Sequence, residues 1–142
     1  EYARNVLGLT DADSTEFFPG CPNPVISLLE EQVDIKAYGG TMRLGRSETR
    51  LAEGSRIHGI YNNRVIYERH RHRYEVSNRY RQPLEQAGLL ITGVTPDNSL
   101  VEVVEWPSGS WGVGVQFHPE FQSKPINPHP LFSSFIKASI GK

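Results

Sequence analysis

The sequence is poor in sulfur, in net charge and in long apolar runs. Among its 142 residues there is one cysteine, Cys21, and one methionine. A single cysteine cannot form an internal disulfide, so we expect a reducing compartment, namely the cytoplasm. The formal net charge is −1, and bulk charge therefore favours neither nucleic acid nor an anionic membrane as a partner. No apolar run approaches the ~18 residues of a membrane span, and no signal-peptide pattern opens the sequence.

Helical and extended patterns alternate along the chain, and this alternation predicts one α/β domain. The segment Asp11–Pro24 is dense in Asp, Ser, Pro and Gly and is predicted to be a loop. Pro96–Asn98 is a turn that joins two strands into a hairpin. The predicted helices are Glu1–Leu9, Ser55–Tyr61, Asn78–Gln86 and Pro130–Ile140, the last with Leu131, Phe135 and Ala138 on one stripe. The predicted extended stretches are Val25–Leu29, Gly39–Gly45, Arg64–Val76, Leu89–Val94, Leu100–Glu105 and Trp111–His118.

The last predicted strand carries a candidate catalytic pair at its end. Its first half is rich in Val and Gly, as in a strand buried on both faces of a sheet. Pro119 has no backbone N–H and must end the strand, so His118 is predicted at the carboxyl tip with Glu120 just beyond. An imidazole with a carboxylate two residues on provides a general base and a partner that fixes its tautomer. The alternative is structural: a histidine that caps a strand end and a glutamate on solvent.

The segment Glu68–Glu75 reads ERHRHRYE, and side chains alternate between two faces if it is a strand. Three guanidinium groups on one face repel each other unless carboxylates or a bound anion compensate. They could equally pair with Glu68 and Glu75, each pair contributing little. The alternation places Arg69, Arg71 and Arg73 on one face, and His70, His72 and Tyr74 on the other.

Two further residue types invite a chemical interpretation. A His-x-His pair can ligate a metal, and His70, His72 and His118 could do so with Cys21 or Glu120. No CxxC or HExxH pattern accompanies the pair, so the metal-binding domain is the weakest of the alternatives. Cys21 lies in a turn between two prolines, where no helix start activates a thiolate, and we predict that it is inert.

Four short motifs follow one another along the chain. They are Asp13–Phe17 (DSTEF), Gly39–Gly45 (GGTMRLG), Glu68–Glu75 (ERHRHRYE) and Gln116–Phe121 (QFHPEF), the last followed by Ser123–Pro125 and His129–Phe132. This ordered set closely resembles the C-terminal glutaminase domain of the CTP synthase family. The match covers essentially the whole chain, and the second and third motifs together separate this family from other class I glutamine amidotransferases. Asp13 stands where the family has asparagine.

The resemblance implies a fold and a set of site residues. The fold is α/β, the C-terminal portion of a class I glutamine amidotransferase fold, with a mostly parallel central sheet flanked by helices and a small antiparallel sheet. His118 would act as the base for a cysteine thiol and Glu120 would hold its ring. Glu16 would bind the α-amino group of glutamine and Arg73 its α-carboxylate. No metal is implied in this domain.

The resemblance also implies that residues 1–142 are part of a glutaminase domain whose nucleophile elbow precedes Glu1. The chain alone would then hydrolyse no glutamine. In the whole protein, ammonia would pass to a synthase domain that uses ATP and Mg²⁺ to aminate UTP to CTP, with GTP as an allosteric activator and a homo-oligomer as the assembled state. The alternative is a non-catalytic relative or fragment that binds glutamine or a partner.

Overall fold

The computed structural model describes residues 1–28, 42–107 and 111–141. Leu29 and Gly39, which bound two predicted extended stretches, lie outside the described residues. The chain divides into two compact units. The first unit comprises Glu1–Arg43 and His72–Leu89, and the second comprises Leu44–Arg71 and Leu90–Lys142.

Short helices and strands follow one another along the described part of the chain. Four of these elements are α-helices, eight are strands and one is a 3₁₀-helix. In chain order they are α1 (Tyr2–Asn5), β1 (Ala12–Ser14), β2 (Asn23–Ser27), β3 (Arg43–Leu51), α2 (Arg56–Tyr61), β4 (Val65–His72), β5 (Glu75–Val76), α3 (Asn78–Gln86), β6 (Leu90–Val94), β7 (Val101–Glu105), β8 (Val113–Val115), the 3₁₀-helix (Pro119–Phe121) and α4 (Pro130–Ser139).

The first unit contains a three-stranded sheet of order β1-β2-β5. Strands β1 and β2 are parallel, whereas β2 and β5 are antiparallel. Ser14 pairs with Ile26, and Ile26 pairs with Val76, so the three residues form one row across the sheet. Strand β1 lies inside the segment predicted as a loop, and that part of the prediction is wrong. Three residues are too few to show a strand period against a background of turn-forming residues.

The long strand predicted over Arg64–Val76 is two strands. Strand β4 ends at His72, a bend follows at Arg73, and β5 belongs to the other sheet. The pattern of buried residues also breaks at this point. His70 in β4 and Glu75 in β5 are both buried, although residues an odd number of positions apart face opposite sides of a continuous strand. An odd spacing between two inward residues requires an interruption of the pleat. The sequence prediction missed this interruption because both halves have strand composition.

The second unit contains a five-stranded sheet of order β4-β3-β6-β7-β8. The pairs β3–β6, β6–β7 and β7–β8 are antiparallel. The predicted hairpin is therefore confirmed as β6 and β7. The expected parallel pairing occurs between β1 and β2, whereas these three pairs of the larger sheet run antiparallel. A tight hairpin can join only antiparallel neighbours, which sets the direction of β6 and β7.

Helix α2 confirms the prediction over Ser55–Tyr61, and its start is stabilised twice. The Oγ atom of Ser55 accepts a hydrogen bond from the backbone N–H of His58 at 3.1 Å. The carboxylate of Glu105 accepts from the backbone N–H groups of Arg56 at 3.1 Å and Ile57 at 2.9 Å. These bonds satisfy donors that the first turn of a helix leaves without partners.

The second unit has a compact apolar core. Helix α4 confirms the last predicted helix, but of its predicted stripe only Leu131 is buried, and Phe135 is 51% exposed. The aromatic ring of Phe135 instead contacts that of Trp111, with 5.5 Å between centroids. In the described part of the chain, no helix is long and apolar enough to cross a membrane. The core residues are Leu51, Ile57, Ile66, Val103, Phe117 and Leu131.

Candidate active site

His118 lies in a short connection between β8 and the 3₁₀-helix of the second unit. Strand β8 ends at Val115 and is half-buried, so the predicted strand is shorter and less buried than its composition suggested. Phe117 is buried in the core and anchors the chain just before His118. The backbone N–H of His118 donates to the carbonyl of Arg69 at 2.8 Å. Pro119 then begins the 3₁₀-helix, consistent with the predicted end of the strand before it.

The side chains of His118 and Glu120 form a close pair. The Nδ1 atom of His118 lies 2.6 Å from Oε1 of Glu120. The His118 side chain is 37% exposed, so the ring is not turned into the apolar interior. The ring also stacks on Phe121, with 5.0 Å between centroids and 20° between planes. Partial desolvation opposes ionisation of Glu120, but the hydrogen bond from His118, a backbone hydrogen bond and attraction to the imidazole together outweigh it and lower the pKa of Glu120 below its usual range.

This geometry decides which nitrogen of His118 can act as a base. An ionised carboxylate accepts hydrogen bonds and donates none, so Nδ1 carries the proton that faces Glu120. In the neutral ring Nε2 then has the lone pair. The pair can therefore take a proton at Nε2 and stabilise the resulting imidazolium with the carboxylate at Nδ1.

The two predicted glutamine-binding residues both lie in the first unit, and both are exposed. Glu16 follows β1 by two residues, and Arg73 precedes β5 by two residues. Because β1 and β5 run in opposite directions, the carboxyl end of β1 and the amino end of β5 lie at the same end of the sheet. The structure thus places both residues beyond that end, while His118 and Glu120 belong to the second unit.

The predicted alternation along β4 is confirmed as far as the strand extends. Arg69 and Arg71 are exposed, whereas Glu68 and His70 are buried. Arg73 lies in the bend after β4, so its position is set by the end of one strand and not by the period of the other.

Three further candidates from the sequence, His70, His72 and Cys21, are not part of the His118–Glu120 pair. Nε2 of His70 lies 3.6 Å from Oε2 of Glu102, and Nδ1 of His72 lies 3.4 Å from Oε1 of Glu75. Among the described residues, no group of three or more His, Cys, Asp or Glu side chains is arranged to hold a metal. Cys21 is a free, buried thiol in the first unit.

A second histidine–glutamate pair in the second unit escaped the sequence analysis. Nε2 of His129 lies 2.8 Å from Oε1 of Glu68, and the hydroxyl of Tyr61 donates to the same oxygen at 2.7 Å. The side-chain amide of Gln122 donates to Oε2 of Glu68. Glu68 and His129 are both buried. The four side chains help to line a cleft of about 380 Å³.

The pKa values in this buried network follow from its hydrogen bonds. Burial by itself raises the pKa of Glu68, but the hydrogen bonds from His129, Tyr61 and Gln122 lower it below its usual range. Burial raises the pKa of Tyr61 far above its usual range, and the neighbouring Glu68 carboxylate adds to this effect. Glu68 is therefore an anion with donors on both oxygens.

The sequence indicates one part of this network, the inward position of Glu68, but not its partner His129. The alternation along β4 places Glu68 on the same face as His70, which makes an inward carboxylate foreseeable. No local pattern links it to His129, which follows it by 61 positions and is the N-cap of α4. The pair depends on the packing of α4, and this packing is a property of the tertiary structure.

Comparison with known proteins identifies the class of protein. Residues 12–138 match the family Glutamine amidotransferase class-I. The chain therefore belongs to the class-I glutamine amidotransferase family. This result confirms the α/β fold class and the family resemblance that the motifs indicated.

Within that family, the chain is similar to CTP synthases. The chain is 52% identical over 140 residues to a CTP synthase of Caldanaerobacter subterraneus subsp. tengcongensis, and 54% identical over 140 residues to a CTP synthase of Desulfitobacterium hafniense. Each alignment covers 99% of this chain and 26% of the relative, so the chain spans about a quarter of their length. The glutaminase domain of Trypanosoma brucei CTPS, solved with bound acivicin, matches with a TM-score of 0.89 and 39% identity over 99% of this chain and 55% of that one.

Proposed function

We propose that the chain is part of a glutaminase domain that supplies ammonia to a CTP synthase. The observation that carries the proposal is the 2.6 Å contact between His118 Nδ1 and Glu120 Oε1, in a partly exposed pair. The comparisons also support the proposal, because a CTP synthase and the glutaminase domain of a CTPS each align with 99% of this chain. The nucleophilic cysteine is proposed to lie outside residues 1–142, because the one cysteine among them is buried Cys21.

In the proposed reaction His118 transfers one proton in each of two half-reactions, first from the thiol to the leaving ammonia and then from water to the sulfur. Nε2 takes the proton of the cysteine thiol as the sulfur attacks the carboxamide carbon of glutamine and forms a C–S bond. The same nitrogen returns the proton to the amide nitrogen, the C–N bond breaks, and ammonia leaves behind a glutamyl thioester. Water then attacks the thioester with His118 again as base, which releases glutamate and the thiol. Glu120 holds the ring and stabilises its charged form throughout.

Glu16 and Arg73 are proposed to bind the amino acid part of glutamine. A carboxylate and a guanidinium complement an α-ammonium and an α-carboxylate, and a guanidinium can bind a carboxylate through two parallel hydrogen bonds. Both residues lie past the same end of the three-stranded sheet, as follows from the pairing of Ser14 and Val76 with Ile26. This placement supports a joint role for the two residues at one ligand.

The rest of the proposal concerns the whole protein. Ammonia would be used by a synthase domain of the same protein, which binds ATP and Mg²⁺ and aminates UTP to CTP, with GTP as an activator. A cytoplasmic homo-oligomer is the proposed assembled form. The family relationship supports this wider context. So does the alignment with a CTP synthase, which covers 99% of this chain but only 26% of that protein.

The decisive experiment compares two ammonia sources in the full-length protein. His118→Ala removes the base and is expected to abolish CTP formation from glutamine while leaving formation from added ammonium intact. Glu120→Gln keeps a hydrogen-bond acceptor at Nδ1 but loses the anion, and we expect an intermediate loss with glutamine only. A wild-type protein that forms CTP only from ammonium would favour a non-catalytic relative, and equal loss with both sources in His118→Ala would contradict the role of this residue.

A further inference from the structure

The 3₁₀-helix that carries Glu120 is attached to β4 at both of its ends. At the first end, the backbone N–H of His118 donates to the carbonyl of Arg69 at 2.8 Å. At the other end, the Gln122 amide donates to the carbonyl of Tyr67 at 3.1 Å and to Oε2 of Glu68. Three consecutive residues of β4 thus hold the segment that bears the proposed catalytic pair.

This attachment matters because the segment has little stability of its own. A 3₁₀-helix of three residues, Pro119–Phe121, forms few internal hydrogen bonds of poor geometry. The side chains of His118 and Glu120 are 37% and 53% exposed, so core packing does not fix them. Their position depends on where the backbone of the segment is held.

Glu68 is well suited to hold it, because its own carboxylate is fixed from the opposite side. Oε1 accepts from the hydroxyl of Tyr61 at 2.7 Å and from Nε2 of His129 at 2.8 Å. Nδ1 of His129 accepts from the backbone N–H of Leu131 at 3.3 Å, which leaves the proton of the neutral ring on Nε2. The remaining oxygen, Oε2, faces the amide of Gln122.

We infer that Glu68 and Gln122 are positioning residues that hold the His118–Glu120 pair in its working geometry. The inference rests on the proposed glutaminase function. It assigns His129 and Tyr61 a supporting role, in which they orient the Glu68 carboxylate and take no part in proton transfer. Both ring nitrogens of His129 are already engaged, so this histidine is not a second base.

Loss of the attachment should lower the rate and not the affinity. Proton transfer requires the reacting atoms to be aligned, and a displacement of about 1 Å can cost roughly 100-fold in rate. The residues proposed to bind glutamine, Glu16 and Arg73, belong to the first unit, whereas Gln122 belongs to the second. The expected signature is therefore a lower kcat for glutamine with an unchanged KM.

The experiment uses two substitutions of Gln122 in the full-length protein. Gln122→Met removes the amide donor with little change in length, and Gln122→Glu places a second carboxylate against Glu68. We expect kcat for glutamine-dependent CTP formation to fall about 10- to 100-fold in both variants, and more in Gln122→Glu because of charge repulsion. Ammonium-dependent formation should stay at the wild-type rate. Gln122 is exposed, so both variants are expected to fold.

Gln82→Met is the matched control, since Gln82 is an exposed glutamine on α3. It should leave both rates unchanged. Wild-type kcat in both Gln122 variants would overturn the inference, and so would a raised KM at constant kcat or an equal loss with both ammonia sources. If the wild-type protein itself forms no CTP from glutamine, the proposed function fails instead, and the two failures are thereby distinguished.

Discussion

Ser14 and Val76 lie in one row across the three-stranded sheet, because both pair with Ile26. Adjacent strands are ~4.8 Å apart, so the two outer strands are separated by roughly 10 Å. Glu16 lies two residues beyond β1 and Arg73 two residues before β5, at the same end of the sheet. This placement is the basis for proposing that Glu16 and Arg73 bind the two charged groups of one glutamine.

The first prediction concerns Arg73. Arg73→Ala should raise KM for glutamine by about 10- to 100-fold while kcat falls little, because it removes binding shared by the ground state and the transition state. Arg64→Ala is the control, since this exposed arginine pairs with exposed Glu53, at 3.1 Å, on the protein surface. Steady-state kinetics with glutamine as the varied substrate tests the prediction. An unchanged KM would contradict the carboxylate-binding role.

The second prediction concerns Cys21. Cys21→Ala should leave CTP formation from glutamine and from ammonium unchanged, because a buried thiol in a turn is not an activated nucleophile. It should lower the free energy of unfolding by about 1 kcal/mol, as expected for trimming one buried atom. Assays with both ammonia sources and a denaturant titration give the answer. Selective loss of the glutamine-dependent reaction would make Cys21 the nucleophile.

The extent to which sequence predicted this fold depends on the range of the interactions. The hairpin of β6 and β7 is predictable, because two strands rich in β-branched residues around the turn Pro96–Asn98 are a local signal. The bend at Arg73 is not, because residues on both sides of it have strand composition and belong to different sheets. The contact between His118 and Glu120 is predictable in the same way, because the two residues lie only two positions apart. The Glu68–His129 pair spans 61 positions and depends on tertiary packing.

The third prediction concerns stability in acid. The hydrogen bonds to Glu68 lower its pKa in the folded protein below the value of about 4.3 for an unfolded chain. The ionised Glu68 carboxylate therefore makes its full contribution to the free energy of unfolding above about pH 4.3. This contribution is lost as the pH falls through the lower pKa of the folded protein. Glu68→Gln should unfold more readily at neutral pH, by about 1 to 3 kcal/mol, because an amide donor replaces an acceptor facing Gln122.

The same variant should also have a shallower loss of stability between neutral pH and acid than the wild type. Glu53→Gln is the control, because Glu53 is exposed and its surface ion pair with Arg64 is screened by solvent. Thermal unfolding followed by circular dichroism at a series of pH values measures both effects. Parallel curves for Glu68→Gln and wild type would show that Glu68 does not contribute to the acid dependence.

The last prediction compares alanine substitutions at two glycines, Gly93 and Gly59, which differ in the space around them. Gly93 on β6 faces Val103 on β7, and a Cβ atom there would lie 2.5 Å from Cγ2 and 2.7 Å from Cβ of Val103. Val103 is completely buried and β-branched, so it cannot move away cheaply. Gly93→Ala should therefore lower the free energy of unfolding by about 1 to 3 kcal/mol through overpacking.

Gly59→Ala should have the opposite effect. Gly59 lies in α2, and a Cβ atom at this position would meet no heavy atom within 4 Å among the described residues. Alanine loses less backbone entropy than glycine when a helix forms, so we expect a gain of about 0.5 to 1 kcal/mol. Thermal denaturation of the two variants beside the wild type measures the difference in sign. A stabilised Gly93→Ala variant would mean that β6 and β7 can separate to admit a methyl group, which the burial of Val103 argues against.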